Sequence, residues 1–384
     1  MRIIIYTGKG GVGKTSMAAA TACKIAADGK KVLVMSTDPA HSLGDSFDRE
    51  IGREQIKIKE NLYAMEIDTI YESEKSWGNL KDYIKRLLTA KGGDGIEAEE
   101  LLVFPGLEEL FSMFRILDVY ESRKYDTILV DCAPTGETLA LLKYPEGLSR
   151  LIEKLLPIER LGVKTVGVLV EKAAKIPMPG DEVFEDVEYL MDKMKRLQRL
   201  LLDKKVVSLR VVTTPEKIVL SEAKRNFTCL YLYHYNVDAV IINHVYPPEA
   251  MEGYFCKWAK LQQEAMQEIE ESFSEVPRFY VQLQKRELRT LEVLEEIGEQ
   301  IFGEYNPDKV LFQKEIYKVN TEEKSLTIYL PFAEKEELRL EQNGGEILVG
   351  VKNENRRFPE PPEFSGQEIS GAKYEKGYLR IFFQ

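Results

Sequence analysis

Gly8-Lys9-Gly10-Gly11-Val12-Gly13-Lys14-Thr15 sets the architecture of this chain. It follows the apolar run Ile3-Ile4-Ile5-Tyr6 and opens an Ala-rich stretch from Lys14 to about Ala27, giving the order strand, loop, helix. Glycines at 8, 10, 11 and 13 admit positive φ and let backbone N–H groups turn inward. Together with the helix N-terminus they surround a phosphate with partial positive charge. Lys14 is placed to meet the β- and γ-phosphates of ATP and Thr15 to ligate magnesium, with Val12 and Ser16 completing the cradle. A second lysine, Lys9, stands five residues ahead of Lys14. Its side chain does not easily curl onto the phosphate face of its own loop and is better placed to reach another subunit.

Outward from the loop, strand-like runs recur at 2–6, 31–36, 61–67, 126–131, 164–170, 206–212, 238–245 and 276–281. Nearly all are continuously apolar, as strands buried on both faces are, and helical patterns lie between most of them. The expected fold is therefore α/β: a P-loop NTPase with a mostly parallel sheet covered by helices on both faces and the loop at a carboxyl edge. A helical insert is expected at roughly 95–122 and 150–203. One stripe, in 101–120, carries Leu107, Leu110, Phe111, Phe114 and Leu117 after Phe104-Pro105-Gly106; another, in 183–201, carries Val187, Leu190, Met191, Met194 and Leu197. Two readings are open: ordinary core, or an adaptable groove for a partner helix, to which Met178, Met191 and Met194 are suited. Residues 175–180 read as an exposed mobile loop. Beyond Gly303 and the Asn306-Pro307 turn, short alternating segments at 326–330, 346–351 and 377–383 predict a small all-β sandwich. The expected domains are 1–303 and 304–384, with the Pro-rich stretch 358–362 an extended connection. The phosphate loop occurs once.

Bulk properties narrow the class. At 384 residues the chain suits two to three domains, and 44% hydrophobic content is that of a globular protein. The net charge of -11, from 64 acids against 53 bases, argues against a nucleic-acid or anionic-membrane binder. The basic run 193–199 reads as a solvated helix face. Cys23, Cys132, Cys229 and Cys256 are far apart and form no C-x-x-C pair, which points to neither a disulfide framework nor a zinc site. A first strand starting at residue 2 predicts no signal peptide, and no apolar run approaches a membrane span of ~18 residues. A cytoplasmic location is expected.

Three positions beyond the loop carry chemistry. Asp38, in the run Ser36-Thr37-Asp38-Pro39-Ala40-His41-Ser42-Leu43, either faces the γ-phosphate and activates water or simply begins an Asp-Pro turn. Asp131 ends the buried run Thr127-Ile128-Leu129-Val130-Asp131, suiting an acceptor for magnesium-bound water. Pro134-Thr135-Gly136 would then form a phosphate-sensitive loop. Asn243, at a strand end, either pairs with an adenine edge or forms a turn ahead of Pro247.

The loop at 8–16, the run 36–48, the segment 126–142, Pro215-Glu216 with Ser221-Glu222 and Arg225, and Asn243 together resemble the ArsA/Get-type ATPases. This is the arsenical-pump and tail-anchored-protein-targeting branch of the deviant Walker P-loop proteins, and the resemblance spans residues 1 to about 303. It implies that Lys9 reaches a partner subunit's phosphates, Asp38 is the switch I residue activating water, Asp131 is the switch II acid near magnesium and Asn243 reads adenine. Val276-Pro277-Arg278-Phe279 resembles the loop that closes over the base. With one loop per chain, the resemblance implies a homodimer with nucleotides at its interface. Pro331-Phe332 and the segment 371–379 resemble the α-crystallin-like, small heat-shock-protein-like domain appended to some members.

The chain also departs from that family. Glu137 and Ala140 stand where His and Arg are usual, which affects coupling rather than nucleotide binding. The interface C-x-x-C pair and the metalloid-sensing cysteines are missing, so zinc-held dimers and arsenite stimulation are disfavoured. The expected function is a homodimeric ATPase coupling closure and opening to binding and release of a hydrophobic client, a membrane-protein helix, with a membrane receptor as a further partner. The alternatives are a nucleotide-regulated holdase, the energising ATPase of an arsenite efflux pump, and a ParA- or MinD-like positioning ATPase. The last lacks its basic DNA face or terminal membrane helix here.

Overall fold

In a computed structural model the structure describes residues 1–38, 42–90, 107–132, 180–252 and 255–384. Several expectations lie outside them: the strand at 164–170, the loop at 175–179, Phe104-Pro105-Gly106, Met178, Pro39 to His41, and the segment with Pro134, Gly136, Glu137 and Ala140. The side chain of Leu107 lies outside them too.

Eight strands form the large sheet: β1 (Arg2–Thr7), β2 (Val32–Ser36), β3 (Ile56–Lys59), β4 (Leu62–Glu66), β5 (Thr127–Asp131), β6 (Val207–Thr213), β7 (Val237–Val245) and β8 (Arg278–Gln282). Their order is β3-β4-β2-β5-β1-β6-β7-β8, parallel throughout except for β3 at one edge. The sheet is sandwiched as expected, and β1 shows how: Ile4 and Tyr6 face one layer, Ile3 and Ile5 the other. The first layer holds α1 (Lys14–Ala27), α2 (Ser42–Phe47) and α8 (Leu291–Phe302). Helices α1 and α8 lie so close that a Cβ on Gly298 would strike the Ala20 carbonyl. The second layer holds α3 (Thr69–Ala90), α4 (Leu107–Glu121), α5 (Asp181–Leu202), α6 (Lys217–Leu232) and α7 (Cys256–Ser272). Among the described residues no helix is long and apolar enough to cross a membrane.

The two helical stripes are core in this conformation. Leu110, Phe111, Phe114 and Leu117 of α4 are at most 2% exposed, as are Leu190, Met194 and Leu197 of α5; Val187 and Met191 pack partly buried beside them. Helices α3, α4 and α5 cover one another, so among the described residues these stripes are packed rather than open. The basic run beginning at 193 needs correction as well. Lys193 is 3% exposed, because its ammonium pairs with Asp118 at 2.7 Å and bonds Tyr189 Oη, tying α5 to α4; Lys195 and Arg199 do face solvent.

The carboxyl-terminal part is a two-sheet sandwich. One sheet is β14-β15-β10-β9, built from β9 (Tyr317–Asn320), β10 (Ser325–Tyr329), β14 (Ile369–Glu375) and β15 (Tyr378–Phe383). The other is β11-β12-β13, from β11 (Leu338–Asn343), β12 (Glu346–Val351) and β13 (Glu354–Pro359). Leu326, Ile328, Ile347, Val349, Leu379 and Ile381 fill its interior. Phe358 and Pro359, expected in a connection, belong to β13.

The segment joining the domains is fastened beneath the sheet by buried charge. Arg210, fully buried, pairs with Asp238 at 3.2 Å and donates to the Pro307 carbonyl at 2.6 Å. Arg2 donates to the Asp308 carbonyl and to Ser208, while Asp238 accepts from Ser208 and from the Leu311 amide. Each buried charge thereby has an opposite partner and several hydrogen bonds, without which it would not be tolerated.

Candidate nucleotide site

The loop between β1 and α1 lies at the carboxyl edge of the sheet, where α/β folds place their ligands. Gly13 sits at φ 91° at the helix start, and a Cβ there would collide with Asn243 Nδ2; a Cβ on Gly8 would meet the Val212 carbonyl. Both glycines hold positive φ, and Gly8 is also required by space because backbone faces it. Gly10 and Gly11 are exposed. No side chain caps α1 and its first turn has no acid, so its N-terminal amides remain available to an anion.

Lys14 and Lys9 point differently. The Lys14 side chain lies back over the loop, its Nζ donating to the Lys9 carbonyl at 3.3 Å, and the residue is 6% exposed. The Lys9 side chain is 37% exposed and turns to Glu222 Oε2 on α6, 3.5 Å away.

Oxygen ligands gather at Thr15. Its Oγ1 donates to Asp131 Oδ2 at 2.7 Å and lies 3.1 Å from Ser42 Oγ, while Ser36 Oγ donates to the same carboxylate oxygen at 3.4 Å. Asp131 Oδ1 is buried with no hydrogen-bond partner among the described residues. Burial pushes the Asp131 carboxyl up to about 6, further raised by nearby Asp38 and opposed by Thr15, Lys14 and Ser36. A desolvated carboxylate oxygen without a partner among the described residues, beside two hydroxyls, fits a small hard cation, so these residues suit magnesium. Asp38 follows β2, and its amide donates to Ser36 Oγ at 3.2 Å. Ser16 lies half-buried in the first turn of α1.

Asn243 is 1% exposed and its Nδ2 donates to the Val12 carbonyl at 2.9 Å, buttressing the loop from β7. Pro277 is not brought to the site. It lies at the amino end of β8, where its carbonyl accepts from Val240 N and Arg278 lies opposite Val240, three strands across from β1. The segment beginning at Leu283, whose amide donates to the Val245 carbonyl, leaves β8 at the loop's edge instead. The crevice rule applied to strand direction would have favoured it over Pro277. Ser42 and the Lys9–Glu222 pair were likewise not assigned from sequence. Ser42 carries no motif of its own; its signal is only that it starts the helix after Asp38.

Parallel-sheet proteins that combine a phosphate loop at a strand's carboxyl end with an acid ending the adjacent strand are the P-loop nucleotide hydrolases. Within that class the chain belongs to the anion-transporting ATPase family of ArsA, which residues 1–303 match. Residues 321–383 match the HSP20-like domain found in ArsA. A protein of Aquifex aeolicus provisionally named arsenical pump-driving ATPase 1 is 38% identical, over the whole of both chains. One of Chlorobaculum tepidum, provisionally named arsenical pump-driving ATPase, is 34% identical over all of this chain and 96% of its own. The ATPase get3 of Botryotinia fuckeliana is 30% identical over 80% of this chain and 91% of its own.

Proposed function

We propose that this ATPase works as a homodimer in which each nucleotide is cradled by residues 8–16 of one copy and completed by Lys9 of the other. Magnesium, when bound, neutralises phosphate charge; Thr15 would ligate it and Asp131 would hold it through water. Asp38 aligns the attacking water, and Lys14 holds the β- and γ-phosphates. The supporting observation is the direction of Lys9, turned away from its own loop toward Glu222. Apolar side chains exposed on elements leaving the same edge, Ile218, Phe255, Trp258 and Leu283, suit contact with a second copy. Closure and opening then serve binding and release of a hydrophobic segment of a membrane protein and its transfer to a membrane receptor. Because α4 and α5 are core in this conformation, that role requires closure to part them.

Complementation tests the shared site. Lys9→Ala and Asp38→Asn should each reduce turnover by at least ~100-fold with nucleotide binding retained. Mixing them should restore activity, since a Lys9→Ala site keeps its own Asp38 and receives Lys9 from the other copy. No recovery in verified mixed dimers would place Lys9 in its own site. A second reading, energising an anion pump, is favoured by the name of the Aquifex relative and predicts turnover stimulated by arsenite.

A further inference from the structure

Helix α6 touches the phosphate loop along one stretch and the β-sandwich along the next. Glu222 holds Lys9, and one turn further Asn226 Nδ2 donates to Thr7 Oγ1 at 3.4 Å. Thr7 is the last residue of β1, immediately ahead of Gly8. Asn226 is 2% exposed, and its Oδ1 has no hydrogen-bond partner among the described residues. From the adjoining residue onward the helix belongs to the other domain. Phe227 meets Phe332 edge-on with centroids 6.0 Å apart, and Phe273 packs against both at 5.3 and 5.5 Å. The Thr228 hydroxyl donates to the Pro331 carbonyl, and Tyr231 packs on Tyr329 at 5.5 Å. At the helix end Arg356 Nη1 donates to the Leu232 carbonyl at 2.9 Å, and Tyr233 Oη to the Asn355 carbonyl at 3.2 Å.

A hydrogen-bonded helix is stiff along its axis, and close-packed aromatic contacts do not deform smoothly. A shift of the loop's root therefore reaches the seam within two turns, with no flexible joint between. We propose that Asn226 is a positioning residue for the phosphate loop and that the β-sandwich, seated on the same helix, is coupled through it to nucleotide binding. The sandwich is then a regulatory part of the ATPase as well as a surface of its own. This rests on nucleotide binding at the loop. Coupling of two equilibria is reciprocal, so nucleotide must alter the seam and the seam must alter nucleotide affinity.

Both halves are measurable on the full-length chain. In the unaltered protein, ADP with magnesium should slow amide exchange severalfold in peptides covering 326–333 and 354–358. Phe332→Leu, on the sandwich side, should shift ADP affinity about 5-fold or more. Asn226→Ala should raise the KM for ATP more than it lowers kcat, and should abolish the effect of Phe332→Leu on affinity. Lys352→Ala, on the exposed sandwich surface, should change neither. Nucleotide binding with unchanged exchange at the seam overturns the coupling, as do additive effects of the two substitutions, and both leave the reading of the loop standing. Absence of nucleotide binding in the unaltered chain overturns both. The exchange measurement needs no substitution, so a variant that folds poorly does not decide the outcome.

Discussion

Asp131 is buried where a charge is unwelcome, and its carboxyl stands at about 6 rather than near 4. For an acid with a raised folded pKa, the unfolded chain releases its proton first. Stability is therefore lost as pH rises from about 4 through 6, and the loss is complete at neutral pH. Without nucleotide, Asp131→Asn should raise the melting temperature at pH 8, by roughly 1–3 kcal/mol of stability, while eliminating magnesium-dependent turnover. A fall in stability would instead show that Asp131 serves the fold. Residues at this scale were unevenly legible. Gly8 and Gly13 are legible because a phosphate loop requires positive φ there, and both hold it. Asn243 reads from sequence as an adenine contact or a turn residue, and its bond to the Val12 carbonyl needed the third dimension to be seen. Pro277 rests on a short motif, which does not say on which end of its strand it stands; here it is the amino end of β8.

Among the elements, the end of α6 carries a pH response. His234, in left-handed backbone at φ 66°, packs against the stacked rings of Tyr317 and Phe358. Burial, with Arg356 and Lys204 adding repulsion, pushes its imidazole down to about 3. The unfolded histidine gains its proton near 6.5, so stability is full above that value and falls as pH drops toward 3. His234→Asn does not titrate and tolerates the backbone; thermal melts of this variant should lose less stability than the parent between pH 6.5 and 4. Parallel slopes would clear His234 of the effect. The strands of the large sheet were legible because burial on both faces leaves an unbroken apolar run. Edge strand β3, Ile56-Lys57-Ile58-Lys59, is short and alternating and escaped notice. So did β9, β11, β13 and β14, whose exposed positions hold charges that read as loop. The helical stripes were found, but periodicity does not say which partner covers an apolar face, and here it is the chain itself.

For the molecule as a whole, the buried charges under the sheet join the two domains as firmly as the aromatic seam does. Asp238→Ala would leave Arg210 unpaired in the interior, and calorimetry should register a loss of about 3–5 kcal/mol. A loss below ~1 kcal/mol would mean that water reaches Arg210 and that the fastening is loose. The same fastening bears on where the ATPase ends. Another Aquifex relative, 34% identical, aligns with only 78% of this chain while using 98% of its own length. Removing everything beyond residue 303 would also change the interior, because Arg210 takes an acceptor from Pro307. An ATPase cut back to residues 1–303 would therefore carry a buried guanidinium one acceptor short, so the interior and the appended segment are not independent parts.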